Sequence, residues 1–130
     1  MKKRGALIAA LALGLLIALV SLGDLNFRPA VNSIGTRFPS ALSPHRVLHL
    51  LAFGVLAALS AKTTCRPSSR ILAVAGVIAF GGAIEMAEFL KSHNVFEFWD
   101  LRDDSLGALL GLMVLEISGR LRPGRNLGAE

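Results

Sequence analysis

Ionisable residues able to do chemistry fall in three short stretches of this sequence, each paced at helical spacing. His45, His49 and Phe53 form one set, Gly81, Glu85 and Glu88 a second, and Asp100, Asp104, Gly107 and Gly111 a third. Residues three or four apart share one face of a helix, so each set is a stripe. Imidazole and carboxylate groups brought together can act as acid and base, or hold a divalent cation. His49, Glu85 and Asp104 are accordingly the candidate catalytic or metal-ligating residues, while nothing fixes a nucleophile, a cofactor or the identity of a metal. Glu85 is the leading candidate, because a carboxylate deep in an apolar helix requires a partner or a task. Glu88 can share a proton with it or simply reach the water boundary. Hydrogen bonding between helices explains His49 equally well, and His45 reads as solvent-exposed. Asp100 and Asp103 suit the favourable N-terminal end of a helix.

These stripes must be carried by apolar helices. Hydrophobic residues make up 53% of the 130 and charged residues 18%, more apolar than an ordinary soluble domain. Four runs emerge, at about 5–22, 44–61, 70–91 and 99–118, with a long outer connection at 23–43 that has room for a short interfacial helix from Ala30 to Phe38. A stretch of about 18 or more apolar residues is long enough to cross a bilayer, and all five prolines fall between the runs or at their ends. The expected fold is therefore all-α, a single membrane domain of four transmembrane helices in a compact bundle. The fourth run reaches spanning length only by taking Asp100, Asp103 and Asp104 into its first turns. Trp99 then suits an interfacial anchor, and Glu116 is placed to pair with Arg120 one turn on.

Basic residues set the orientation. Lys2, Lys3 and Arg4 precede the first run, Lys62, Arg66 and Arg70 separate the second from the third, and Arg120, Arg122 and Arg125 follow the fourth. Lysine and arginine mark the cytoplasmic side, giving an N-in, C-in, multi-pass protein of the bacterial inner membrane. The net charge of +5 is thus a topology signal, and the partner is the lipid bilayer, with no nucleic acid. Residues 1–23 also resemble a signal peptide, but the apolar run exceeds the roughly 7–15 residues of a usual signal core, which favours retention. The lone Cys65 excludes an intrachain disulfide.

Three motifs in order resemble the VanZ-like family of bacterial membrane proteins over roughly His45 to Val114. Arg46-Val-Leu-His49-Leu-Leu-Ala-Phe53 resembles its basic-x-x-His-x-x-x-aromatic helix start, and Ile84-Glu85-Met-Ala-Glu88 its Ile-Glu-x-x-Gln. Asp100-Leu-Arg-Asp-Asp104-Ser-Leu-Gly107-Ala-Leu-Leu-Gly111 resembles its Asp-x-x-x-Asn-x-x-Gly-x-x-x-Gly. Glu88 stands where the family commonly has Gln, Asp104 where it has Asn, and Asn94 where it has Arg, so any anion-binding role of that arginine would fall here to Arg46 or Arg102. The resemblance implies a cell-envelope role connected with susceptibility to the glycopeptide teicoplanin, acting on or occupying a lipid-linked wall precursor or glycopeptide at the outer leaflet. Arg46, Glu88, Asp100 and Arg102 are the binding residues expected on that reading. Alternatives are a membrane-embedded acid/base or metal-dependent enzyme, a proton-coupled small-molecule transporter, and a structural partner whose polar layer only joins helices.

Overall fold

A computed structural model describes residues 3–22, 44–92 and 98–120. Every element among them is helical: α1 (Lys3–Leu22), α2 (Pro44–Lys62), α3 (Pro67–Ser92) and α4 (Phe98–Arg120). The connection at 23–43 with its expected short helix, Asn94, and Arg122 and Arg125 lie outside the described residues.

Local chemistry sets the helix ends. Pro44 and Pro67 are the first residues of α2 and α3, where a missing backbone donor would have had no partner inside the helix. The Arg66 carbonyl takes the opening bond of α3 from the Arg70 N–H at 3.1 Å. At the end of α2, the N–H groups of Thr63 and Thr64 donate to the carbonyls of Ser60 and Ala61 at 3.1 and 3.2 Å. Their hydroxyls donate to the same two carbonyls at 2.6 and 3.0 Å, so two of the last carbonyls of the helix are satisfied within a four-residue connection.

Helices α1, α2 and α3 are long and apolar enough to cross a membrane. Of the four spans expected, composition alone supports these three. The 23 residues of α4 rise about 34 Å, but the helix carries Asp100, Arg102, Asp103 and Asp104 at one end and Glu116 and Arg120 at the other.

Contacts between the helices fix their directions. Lys3 meets the Cys65 thiol at one end of α1, and Lys91 Nζ donates to the Leu22 carbonyl at the other, at 2.7 Å. Helices α1 and α3 therefore run the same way and α2 runs against them. Helix α4 runs parallel to α2, since His49 meets Asp104 at the start of both and Gly54 meets Gly111 further along. Lys3, Arg4, Lys62, Arg66, Arg70 and Arg120 share one end of the structure; His45, Arg46, His49, Glu85, Glu88, Asp100, Asp103 and Asp104 share the other. Glu116, at the basic end, pairs with Arg70 of α3 rather than with the expected Arg120. The connection across helices replaces the one along a helix.

Glycine permits a very close approach between α2 and α4. A methyl group on Gly107 would lie 2.9 Å from the Leu50 carbonyl carbon, and one on Gly111 would lie 2.8 Å from that of Gly54. Carbon atoms prefer about 3.5–4.0 Å, so neither position has room for a side chain. Beside this seam the core is built from small and medium residues, Ala10, Leu56, Ala57, Val74, Val77 and Ala108, with Phe53 at its centre. Many of the large aliphatic residues point the other way. Leu11, Leu15, Leu51, Leu72, Leu90, Leu109 and Val114 are all exposed, whereas Glu85, Asp100, Asp103 and Asp104 are buried.

Gly107→Ala or Gly111→Ala should separate α2 from α4, because the obstructing atoms are backbone and do not yield as a flexible side chain would. Overpacking costs about 1–3 kcal/mol, and these sites should reach or exceed the upper figure. The check is thermal stability of detergent-purified protein; Gly76→Ala and Gly119→Ala, where nothing stands within 4 Å, should be nearly silent.

Candidate functional site

The polar end is assembled by the same seam that excludes side chains at Gly107 and Gly111. Because α2 and α4 are held backbone to backbone, the residues one and two turns before those glycines are pressed together as well. His49 Nδ1 lies 2.8 Å from Asp104 Oδ1, and the Asp104 side chain is 2% exposed. Its other oxygen, Oδ2, rests on α3 at Gly81, where an added methyl group would meet it at 2.7 Å and the Phe53 ring at 2.9 Å. Gly81 thus makes the recess that admits both the carboxylate and the ring.

Asp103, the preceding residue, is the ionic hub. Arg46 of α2 donates to both its oxygens, Nε to Oδ2 at 2.6 Å and Nη2 to Oδ1 at 3.2 Å. Arg102 donates Nε and Nη2 to Oδ1 at 3.0 and 2.6 Å. Such forked contacts are the stronger and more directional kind of ion pair. The Arg102 guanidinium also lies 4.7 Å from the centre of the exposed Trp99 ring, which places a cation and an aromatic surface together on the rim. Further out, Asp100 is buried and its oxygen lies 3.8 Å from His45 Nδ1. The His45 and His49 rings are 4.7 Å apart, and His49 stacks over Phe53 at 6.3 Å.

Of the expected catalytic trio, His49 and Asp104 are joined directly. Glu85 is buried on α3, one turn beyond Gly81 and hence on the face that meets Asp104. Glu88 is half-buried one turn further. Arg46, Asp100 and Arg102, expected as binding residues, all belong to the cluster. Two members were not expected there. Asp103 read as a helix cap, yet its place four residues before Gly107 is the spacing that puts it in the α2–α4 seam. His45 read as solvent-exposed, yet it lies against both His49 and Asp100. Among the described residues, the metal-type donors that come within 4.8 Å of one another are His45, His49 and Asp100, a different trio from His49, Glu85 and Asp104.

Chemically, a carboxylate on one ring nitrogen orients the imidazole and fixes which nitrogen carries the proton, leaving the other as base or ligand. Ser105, next in sequence to Asp104, donates its hydroxyl to the Leu101 carbonyl at 2.7 Å and is thereby committed within its own helix. No family model, no curated protein and no solved structure matches the chain.

Two arginines on one buried carboxylate make the cluster tolerant of single losses. Arg46→Gln or Arg102→Gln alone should cost about 1 kcal/mol or a little more, since the other guanidinium still neutralises Asp103. Removing both should exceed the sum of the two, approaching the roughly 3–5 kcal/mol of a buried charge left unpaired. A double-mutant cycle on thermal stability measures this coupling.

Proposed function

We propose that the chain is a four-span, N-in and C-in protein of the bacterial inner membrane, of the VanZ-like kind, acting in the cell envelope through its polar cluster at the outer leaflet. The observation that carries this reading is the inverted distribution of side chains. Leucines cover the outside while carboxylates are enclosed, an arrangement that lipid favours and water opposes. Helix α4 shares it despite its charges: Leu106, Leu109, Leu110, Met113, Val114 and Ile117 are exposed. Its acids Asp100, Asp103 and Asp104, in contrast, face α2. Each has a cationic or imidazole neighbour that reduces the penalty of placing it in a span.

Orientation follows from the basic end. Lys3, Arg4, Lys62, Arg66, Arg70 and Arg120 gather at one side and mark it cytoplasmic. The polar cluster then opens outward, with Trp99 and Arg102 at the level where aromatic anchors sit. A surface-accessible guanidinium beside an indole, over a buried histidine–aspartate pair, suits the phosphate or carboxylate of a lipid-linked wall precursor. Occupying such a precursor would alter susceptibility to a glycopeptide such as teicoplanin. The 2.8 Å contact between His49 and Asp104 also supports a second reading, a membrane-embedded acid/base enzyme on the same class of lipid. A transport path is less well supported, because Glu116 at the opposite end is engaged by Arg70.

Cys65, the sole cysteine, reports the orientation directly. It is exposed in the connection between α2 and α3, and the Lys3 ammonium beside it holds the thiol below its usual pKa. It should therefore react with a membrane-impermeant maleimide only after cells are opened, and should do so at a lower pH than an ordinary thiol. Labelling in intact cells would reverse the topology.

The envelope role is tested in a strain lacking the gene. Teicoplanin susceptibility should change on deletion and return with wild type, while Glu85→Gln, His49→Ala and Asp104→Asn should fail to restore it at matched expression. Unchanged susceptibility to envelope-directed drugs would reject the envelope role; full restoration by all three variants would leave the cluster purely structural.

A further inference from the structure

The outermost part of the cluster brings two imidazoles and a carboxylate from two helices close together. His45 and His49 are separated by one helical turn on α2, so their rings project from one face, and they lie 4.7 Å apart. Asp100 enters from α4 as a buried carboxylate, and its contact with His45, at 3.8 Å, is longer than a hydrogen bond. Each of the three offers one ligand atom, and these atoms lie within 4.8 Å of one another. Around a tetrahedral zinc with bonds of about 2.0–2.2 Å, ligand atoms stand roughly 3.3–3.6 Å apart. Side-chain movements on the order of 1 Å would bring the trio to that separation.

The surroundings match what a metal-binding histidine requires. Asp104, almost wholly enclosed, contacts His49 at Nδ1. A proton on Nδ1, shared with that carboxylate, would put the lone pair on Nε2, directed away from it. Carboxylate–histidine–metal relays of this kind fix the ring and raise its basicity as a ligand. Arg46 and Arg102 are both occupied by Asp103, so the nearest guanidinium groups are neutralised, and Asp100 brings a formal negative charge to a cation. His45 is partly exposed, at 31% of its side chain, which gives an ion a route from the water side. Two imidazoles and one carboxylate are borderline donors suited to zinc and its neighbours rather than to magnesium or calcium.

We infer that His45, His49 and Asp100 bind one divalent transition-metal ion of the zinc type, with Asp104 orienting His49 from behind. Three protein ligands leave a fourth position, directed toward the aqueous side, for water or an anionic group of a ligand. The binding is a property of these side chains and is independent of any role in the cell envelope.

The test uses full-length protein in lipid nanodiscs, freed of its affinity tag and stripped with a chelator. Titration with zinc, followed by calorimetry and by elemental analysis after gel filtration, should show one ion per chain. Cobalt in its place should give the intense visible bands of a four-coordinate centre. His45→Ala, His49→Ala and Asp100→Asn should each abolish stoichiometric binding. Asp104→Asn should weaken it by about 10–100-fold, whereas Glu116→Gln, at the opposite end of the structure, should leave it unchanged. Because Asp100 is buried, His45→Gln, whose amide can still donate to that carboxylate, serves as the variant least disturbing to the fold, and its helical content and monodispersity in chelator should match wild type. Absence of stoichiometric zinc in wild type, or binding that survives both His45→Gln and Asp100→Asn, overturns the assignment.

Discussion

A carboxylate enclosed between helices has to be met by a cation or a hydrogen-bond donor, and that requirement organises the polar end of this protein. Asp100, Asp103 and Asp104 are all buried at the start of α4. Stranding any of them would be costly, as for any ionised group removed from water. Helix α2 supplies the answers in register, His45 to Asp100, Arg46 to Asp103 and His49 to Asp104. A slip of either helix by one residue would break all of these contacts together, so the cluster acts as a register device as well as a site.

The glycine seam makes that register possible. Gly107 and Gly111 allow the Leu50 and Gly54 carbonyls to lie directly against α4, and such close backbone approach is how helices associate when both core and surroundings are apolar. Gly81 plays the corresponding part on α3, giving up its side chain so that Asp104 and Phe53 can occupy the same recess. Small residues, rather than a large hydrophobic core, therefore determine where the charged groups can be placed. Packing is tight beneath the cluster, whereas Trp99 and Arg102 are exposed at its edge.

Much of this was legible in the sequence, and what was missed has a common cause. The helices are written in long apolar runs, and the shared depth of His49, Glu85 and Asp104 follows from alternating helix direction at a constant rise per residue. Partners across helices are not written locally. Spacing along one helix suggested Arg120 for Glu116 and a capping role for Asp103, because those are the relations a single helix displays. The structure instead gives Glu116 to Arg70 of another helix, and gives Asp103 to both Arg46 from across the seam and Arg102 beside it. His45 was undervalued for the same reason, since its neighbour on α4, Asp100, lies 55 residues along the chain.

The central proposal is that the acids of α4 are neutralised by α2 while both helices lie in lipid. Magic-angle-spinning NMR of isotope-labelled protein in bilayers tests it at the atoms concerned. The expected result is a through-space correlation from the Asp104 carboxylate carbon to His49 Nδ1 and another from the Asp103 carboxylate to the Arg46 guanidinium, with α2 and α4 amides shielded from exchange. Loss of both correlations, with those amides exchanging freely with solvent, would contradict the account.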